Sequence, residues 1–262
     1  MRILFLGDVV GRPGRRAVAA IVPRLVAQER IDFVVANGEN AAGGKGIDPR
    51  SAEDLRAAGV DVMTSGNHVW QKREILPYLR ESGRVLRPLN MAAGVPGEGW
   101  TVARSRHGGV PIAVVNLIGR VFMAPADCPF RAVESVLPHI RREAAVVVVD
   151  MHAEATSEKA GMGQFLAGRV SAVVGSHTHV QTADERLLSG GTAYVTDAGM
   201  CGPRDSILGM RSDRVIERFL TQMPIRFEVA TGPVVVQGVT IDVDEATGRA
   251  SSIIRVQETF EG

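Results

Sequence analysis

Cysteine is scarce in this chain: its 262 residues hold two, Cys128 and Cys201, far apart and in no Cys-x-x-Cys. That excludes a thiolate zinc site and a disulfide framework. Neither is needed, because a chain of this length buries roughly 70 to 75% of its unfolded surface and can support a full core. The expected compartment is a reducing one. Long apolar runs are missing as well. No stretch reaches 18 consecutive apolar residues, and residues 1–8 turn acidic too early for a signal peptide. The expectation is a soluble, cytoplasmic protein with no membrane partner. Neither sign of charge dominates: 30 basic against 29 acidic residues leave +1, so no global field would hold duplex nucleic acid and any such contact must be local. Aromatic residues make up 5% of the chain, which argues against a long stacking platform for single-stranded RNA. Lysine is rare too. Only Lys45, Lys72 and Lys159 occur among the 30 basic residues, an imbalance that reads as codon usage rather than phosphate recognition.

What the chain does contain is a regular alternation. Short β-branched apolar runs at 2–7, 32–36, 60–64, 112–117, 145–149, 172–175 and 192–195 have the length and composition of buried strands. Helix-like segments at 15–28, 51–58, 71–80, 132–142 and 158–166 lie among them, so βαβ units with helices on sheet faces are expected. Ser51, Glu53 and Asp54 place a helix start at 51, where acidic groups oppose the positive end of the dipole, and Gly59 stops that helix. Strand-like runs at 234–242 and 252–257 flank a glycine turn at 244–248, which reads as a hairpin and makes the sheet mixed. No repeat, low-complexity tract or linker divides the chain, so residues 1–262 are expected to form one domain.

The histidines carry the most information. There are six, and His68, His152, His177 and His179 follow strand-like runs in the company of Gly, Asn and Asp. The strand ends read Gly7-Asp8, Asn37-Gly38-Glu39-Asn40, Gly66-Asn67-His68, Asp150-Met151-His152, Gly175-Ser176-His177-Thr178-His179 and Asp197-Ala198-Gly199. Open α/β sheets bind ligands outside the carboxyl ends of their strands, so these groups should converge on one rim. Imidazole, carboxylate and carboxamide without thiolate suit Mn, Fe, Zn or Ni. Extended backbone would send the rings of His177 and His179 to one side, able to chelate one metal or to hold two adjacent ones. His107 and His139 fall outside the pattern and are expected on the surface or on a helix.

The ordered series Gly7-Asp8, Gly38-Glu39-Asn40, Gly66-Asn67-His68, His152 and Gly175-Ser176-His177-Thr178-His179 resembles the motif set of the calcineurin-like metallophosphoesterases. The stretches GDVVGRPGR, NGENAAGGKGI, SGNHVW, DMHAEATSEK, GSHTHVQTAD and TDAGMCGPRDSILGM are similar to the bacterial YmdB branch, whose members act as 2',3'-cyclic nucleotide phosphodiesterases. The resemblance implies an α/β four-layer α/β/β/α sandwich with two mixed β-sheets and a centre of two divalent metals, Fe or Mn first and Zn second. It implies Asp8 and His179 on the first metal, Glu39 bridging, and Asn67, His152 and His177 on the second. The superfamily's first motif is usually Asp-x-His, but position 10 is Val10, and Asn40 is the substitute ligand expected. The usual bridging Asp is Glu39 here, one methylene longer. His68 is implied as the catalytic proton donor, although Val69 replaces the acid that often orients this ring. The implied reaction is attack of a metal-activated hydroxide on a 2',3'-cyclic nucleotide, opening the P–O2' bond to leave a 3'-nucleotide.

Beyond the metal set, loops 41–47 and 199–210 are candidates for contacting substrate, through Gly43, Gly44, Cys201 and Gly202, since glycine permits close backbone approach and amides can face phosphate. Arg12 could pair with a phosphate oxygen. Against these stand plain readings: turns with positive φ, a small loop cysteine and a surface arginine. Trp70 and Phe122 are conceivable base-stacking residues, with core packing as their alternative. Two other functions compete: a phosphatase acting on phosphoprotein or phosphomonoester, and a regulatory scaffold that keeps the metal site. The expected partner is a small cyclic nucleotide, with a homo-oligomer as the assembly.

Overall fold

The computed structural model describes residues 1–262. The chain runs β1 (Arg2–Leu6), the short β2 (Asp8–Val9), α1 (Gly11–Glu29), β3 (Phe33–Asn37), α2 (Pro49–Ala57), β4 (Val62–Thr64) and α3 (Ile75–Glu81). Next come β5 (Trp100–Arg104), β6 (Pro111–Ile118), α4 (Pro129–Glu143), β7 (Val146–His152), α5 (Thr156–Leu166), β8 (Ala172–Ser176), β9 (Arg186–Leu188) and β10 (Thr192–Val195). The last elements are β11 (Met200–Pro203), α6 (Ser212–Thr221), β12 (Val234–Val243) and β13 (Ala250–Phe260).

Side-chain alternation explains why the strand runs are continuously apolar. In β7, Val146 and Val148 face one hydrophobic cluster while Val147 and Val149 face another. In β1, Ile3 and Phe5 join the first of these clusters, and Leu4 and Leu6 join a third. A strand buried on both faces needs apolar residues at every position, because successive side chains point to opposite sides. The cluster shared by β1 and β7 lies between two sheets; the other two lie beneath helices. Val18, Ile21, Val22 and Leu25 of α1 cover one sheet from outside, and Val133, Leu137 and Ile140 of α4 with Met162 and Leu166 of α5 cover the other. Four layers result, as the family resemblance implies. Each fully buried Val or Ile contributes about 1.5–3 kcal/mol.

Both sheets are mixed. In one, β6, β7, β8 and β10 run parallel between antiparallel edges β5 and β9. In the other, β1, β3 and β4 are parallel, and β12 lies antiparallel to β1, β11 and β13. The hairpin expected near the end is β12 and β13, turning through Gly248 at φ 70°.

Several local expectations need correction. Helix α2 starts at Pro49 rather than 51: Asp48 is its N-cap and exchanges bonds with Ser51 in a capping box, leaving no acidic residue in the first turn. The segment 199–210 is not all loop, since β11 occupies its start and pairs with β2 and β12. Helix α6 and strands β2, β5 and β9 were not expected. The two short strands have too few residues for a pattern, whereas α6 had a signal in the spacing of Val215, Ile216, Phe219 and Leu220.

Candidate metal centre

The carboxyl ends of β3, β4, β7 and β8 and the start of β2 meet at one rim, and the chemistry lies there. Asp8 begins β2, Glu39 and Asn40 follow β3, Asn67 and His68 follow β4, His152 ends β7, and His177 and His179 follow β8. Asp8, Glu39, Asn40 and His152 are buried. Close approach is built in at Gly66, where a Cβ would fall 2.1 Å from His152 and 2.5 Å from Glu39.

Each ligand histidine is tied outward by one ring nitrogen, which leaves the other facing the centre. Ser176 Oγ donates to Asp150 Oδ1 at 2.6 Å and therefore accepts from His152 Nδ1–H at 2.9 Å. His177 Nε2–H reaches Glu154 Oε2 at 3.2 Å, and His179 Nδ1–H donates to the Leu208 carbonyl at 3.1 Å. The tautomers assigned from this network point His152 Nε2, His177 Nδ1 and His179 Nε2 inward.

Those inward atoms form two groups. Around His152 Nε2 lie Asn67 Oδ1 at 3.1 Å, Glu39 Oε1 at 3.2 Å and His177 Nδ1 at 3.1 Å. One nitrogen carries at most one proton and cannot satisfy three acceptors, whereas a cation among them satisfies all. The ligand atoms of Glu39, His152 and His177 lie within 4.8 Å of one another. The second group is Asp8, Asn40 and His179: His179 Nε2 is 3.6 Å from Asp8 Oδ1 and 3.1 Å from Asn40 Nδ2. Asp8 Oδ2 accepts the His177 amide at 3.0 Å, but the buried Asp8 Oδ1 has no hydrogen-bond partner. The orphaned Asp8 oxygen and the inward lone pairs of the three imidazoles, with Glu39 and Asn67 oxygens beside them, fit divalent metal, whereas Asn40 turns its Nδ2, an N–H donor, toward this group and its Oδ1 toward His68. Asn40 Nδ2 also reaches Glu39 Oε1 at 3.3 Å, so Glu39 stands between the groups.

The electrostatics agree. Burial pushes the Glu39 carboxyl up, yet the charge and hydrogen bonds of His152 and His68 outweigh it and hold Glu39 well below the usual carboxylate range. Burial likewise raises Asp8, and His179 and His152 outweigh it. Burial depresses His152, but Glu39, Asp8 and Asp150 push it up to about 9, so the carboxylates draw positive charge to this point. His177 goes down to about 4 through burial and the neighbouring His152, which keeps its ring neutral and available as a ligand.

The rings of His177 and His179 converge, though not by the extended backbone expected of His-x-His. Their φ values are 97° and 63°, a left-handed bend that turns the two rings into different groups. Between them Thr178 is anchored to Asp197 Oδ2, by its hydroxyl at 2.7 Å and its amide at 3.1 Å, while Lys159 Nζ donates to the same oxygen at 2.7 Å. Lys159 and Glu154 lie within the stretch DMHAEATSEK and Leu208 within TDAGMCGPRDSILGM, yet none of the three was assigned a role there, because their contacts depend on tertiary approach.

His68 sits at the edge of the cluster. Its Nδ1–H faces Asn40 Oδ1 at 2.9 Å and its amide donates to Glu39 Oε2 at 3.1 Å, so Asn40 supplies the orienting contact that Val69 cannot. His68 Nε2 has no hydrogen-bond partner, and the residue lines a cavity of about 560 Å³ together with Glu39, His177 and His179. Its far wall is apolar and includes Leu208, Met210, Val215, Phe219 and Phe227. Gly44 lines this cavity, but Arg12 and Gly43 line a different one. Cys201 and Gly202 are buried in β11, where burial pushes the Cys201 thiol up to about 12. The structure does not bring these two to the cavity, since strand pairing fixes their backbone. Trp70 packs against the helix-covered core and Phe122 is exposed, so neither borders the site. Val10 is buried beside Met200 and Val235, and no imidazole replaces it.

The model of the YmdB-like protein family matches residues 4–256. This chain belongs to the YmdB-like family. It is 46% identical over 256 residues to the 2',3'-cyclic-nucleotide 2'-phosphodiesterase of Bacillus subtilis, covering 98% of this chain and 96% of that protein. A putative phosphatase/phosphodiesterase of Mycoplasma genitalium is 32% identical, covering 98% of this chain and 92% of its own length. Among solved structures, a hypothetical protein of Thermus thermophilus superposes with a TM-score of 0.92 at 44% identity, covering 100% of both chains. A 5'-nucleotidase of Candida albicans, at 14% identity and a TM-score of 0.55 over 98% of this chain and 50% of its own, shares the fold alone.

Proposed function

We propose that this protein is a phosphodiesterase with two divalent metals, Fe or Mn, that hydrolyses 2',3'-cyclic nucleotides to 3'-nucleotides in the cytoplasm. The observation that carries the proposal is the set of three imidazoles, each tied outward by one nitrogen and facing Asp8 and Glu39 with the other, beside a fourth imidazole that lines an open cavity. Membership of a family that includes the Bacillus subtilis enzyme supports the substrate class. Two free thiols, Cys128 and Cys201, support a reducing compartment, and no helix is long and apolar enough to cross a membrane.

In this reading Asp8, Asn40 and His179 would hold one cation and Asn67, His152 and His177 the other, with Glu39 placed to serve each. When bound, the metals supply charge for the phosphate oxygens and make water acidic enough to act as the nucleophile near neutral pH. The chain's own contribution is orientation and a proton. Asn40 holds the His68 ring by Nδ1, so that Nε2, when protonated, can donate to O2' as the P–O2' bond breaks and water's oxygen joins phosphorus. The apolar wall of Leu208, Phe219 and Phe227 offers the base a surface, which favours a nucleoside over a phosphoprotein side chain. The test is hydrolysis of 2',3'-cyclic AMP, 3',5'-cyclic AMP and a phosphomonoester with Mn or Fe supplied. Preference for the first is expected. Preference for the monoester points to the phosphatase, and no hydrolysis at all to the scaffold.

A further inference from the structure

A second cavity lies apart from the one at the metal centre. It measures about 920 Å³ and is bordered by Arg12, Arg15 and Arg16 of α1, Arg50 of α2 and Lys72. Two carboxylates share the lining, Asp48 and Asp54, and both are engaged: Asp48 caps α2, and Asp54 accepts from Arg15 Nε at 3.0 Å. Arg12, Arg16, Arg50 and Lys72 make no ion pair within 4 Å and no side-chain hydrogen bond, and although Asp48 feels the charge of Lys72, the five cations of the lining outnumber its two carboxylates. Its apolar lining is alanine: Ala19, Ala42, Ala57 and Ala58. No aromatic ring or large apolar side chain is present on which a base could stack.

This basic cavity adjoins the metal centre through a single loop. Gly43 borders the basic cavity and Gly44, its neighbour, borders the cavity holding His68 and His179. The lining of one hollow therefore continues along the chain directly into the lining of the other. Both glycines have positive φ, 71° and 86°; a Cβ on Gly43 would meet nothing within 4 Å, whereas one on Gly44 would fall 2.7 Å from Met210 and Val229, so the loop is open on the side of the basic cavity and packed on the other. Arg15 links them as well, its guanidinium donating to the Ala41 carbonyl in the loop that carries Glu39 and Asn40.

We propose that the basic cavity holds backbone phosphates of a single RNA strand whose 3' end, a 2',3'-cyclic phosphate, occupies the metal centre. The inference rests on the activity proposed above and names its substrate more narrowly. Cations without a stacking surface read phosphates and not bases, and a row of phosphates leading away from a terminal cyclic phosphate is what an RNA strand presents. Such ends arise when a ribose 2'-oxygen attacks its own 3'-phosphodiester and releases the next nucleotide's 5'-hydroxyl. RNA cleavage by transesterification is therefore the class of reaction that supplies this substrate. Hydrolysis then adds water across P–O2', leaving a 2'-hydroxyl and a terminal 3'-phosphate.

The experiment compares kcat/KM for 2',3'-cyclic AMP and for a short oligoribonucleotide ending in a 2',3'-cyclic phosphate, in wild type and in an Arg16→Glu, Arg50→Glu double variant. Both side chains are exposed and unpaired, so the fold should tolerate the change. Wild type is expected to favour the oligonucleotide by about tenfold or more at low salt, with the logarithm of that advantage falling by about 0.7 per neutralised phosphate against log salt. The double variant should lose the advantage and keep its rate on 2',3'-cyclic AMP. An oligonucleotide used no better than the mononucleotide, or an advantage that survives both charge reversals, overturns the proposal. Anisotropy of a labelled, uncleavable oligoribonucleotide separates this from the chemistry. Binding lost in the double variant while no cyclic phosphate is hydrolysed means that the activity reading has failed and the cavity stands. Equal binding by both proteins means that the cavity reading has failed.

Discussion

At the scale of the residue, the site depends on proton placement more than on proximity. His152 and His179 act alike because Ser176 and the Leu208 carbonyl each take one ring N–H, and His177 has Glu154 Oε2 3.2 Å from its outer nitrogen, which leaves the opposite nitrogen of each ring facing the centre. His68 differs because the residue on its Nδ1, Asn40, itself belongs to the cluster, and its Nε2 has no hydrogen-bond partner. The two classes should separate under mutation. Glu39→Ala removes the carboxylate between both groups and is expected to abolish turnover and lower bound metal while the circular dichroism spectrum is unchanged. His68→Ala should lose about 10²- to 10⁴-fold in kcat, the usual worth of general acid catalysis, with its metal content intact. Metal analysis of the two purified variants is the check, and loss of metal in His68→Ala would make His68 a ligand. The left-handed backbone at His177 and His179 is the strained part of the site, at a cost on the order of 1 kcal/mol each, and the Thr178–Asp197–Lys159 anchor holds it in place.

At the scale of the element, alternating burial made the core strands legible, and partial burial hid the rest. β7 reads as a strand because Val146 through Val149 supply both adjoining cores. β11 reads as loop because its sequence, Met-Cys-Gly-Pro, has no strand pattern; its pairing with β2 and β12 exists only once those strands are in place. Helix α6 had a readable period, yet Ile216, Phe219 and Leu220 are exposed instead of joining a core. The β1–β12 pair carries a cross-strand clasp at the register Arg2↔Asp242, with two guanidinium contacts of 2.8 and 3.0 Å. The hydrogen bond from Arg2 holds the Asp242 carboxyl below the ordinary range. A depressed carboxyl stabilises the fold above its unfolded value and loses that contribution as pH falls through its folded value. Asp242→Asn is therefore expected to cost up to about 1 kcal/mol at pH 7, as for a partly exposed pair. In urea denaturation the difference should shrink as pH falls below about 4, the ordinary carboxylate range. An equal deficit at both pH values would remove the ion pair as its cause.

At the scale of the whole molecule, metal and fold should be linked. Gathering buried Asp8, Glu39 and His152 with His177 and His179 at the meeting of five strand ends leaves Asp8 Oδ1 buried without a partner, and a ligand that binds only the native state raises its stability. At a hundredfold excess over Kd the gain is about 2.7 kcal/mol, which for a chain of this size corresponds to roughly 5 to 10 °C in Tm. Chelation followed by dialysis should lower Tm by that amount, and adding Mn back should restore it. A Tm indifferent to chelation, in protein shown by elemental analysis to have lost its metal, would mean that the cluster is held by the fold alone.

The four layers were what the family resemblance implied, while the sequence by itself determined the buried strands, the order of the strand ends and the type of donor at each. Those follow from local rules: a strand buried on both faces must be apolar throughout, and its polar residues must fall past its end. Tertiary structure alone decided which nitrogen of each histidine faces the centre, that Asn40 orients His68 in place of an acid at position 69, and that Arg12 and Gly43 open onto a separate basic cavity rather than the metal centre. Each of these turns on an approach between residues far apart in the chain, such as Lys159 to Asp197 or His179 to Leu208. The near absence of cysteine keeps its meaning throughout, since every donor at the centre is nitrogen or oxygen. The near-zero net charge conceals the opposite locally, because α1 and α2 gather unpaired arginines on one side of the loop that carries Glu39.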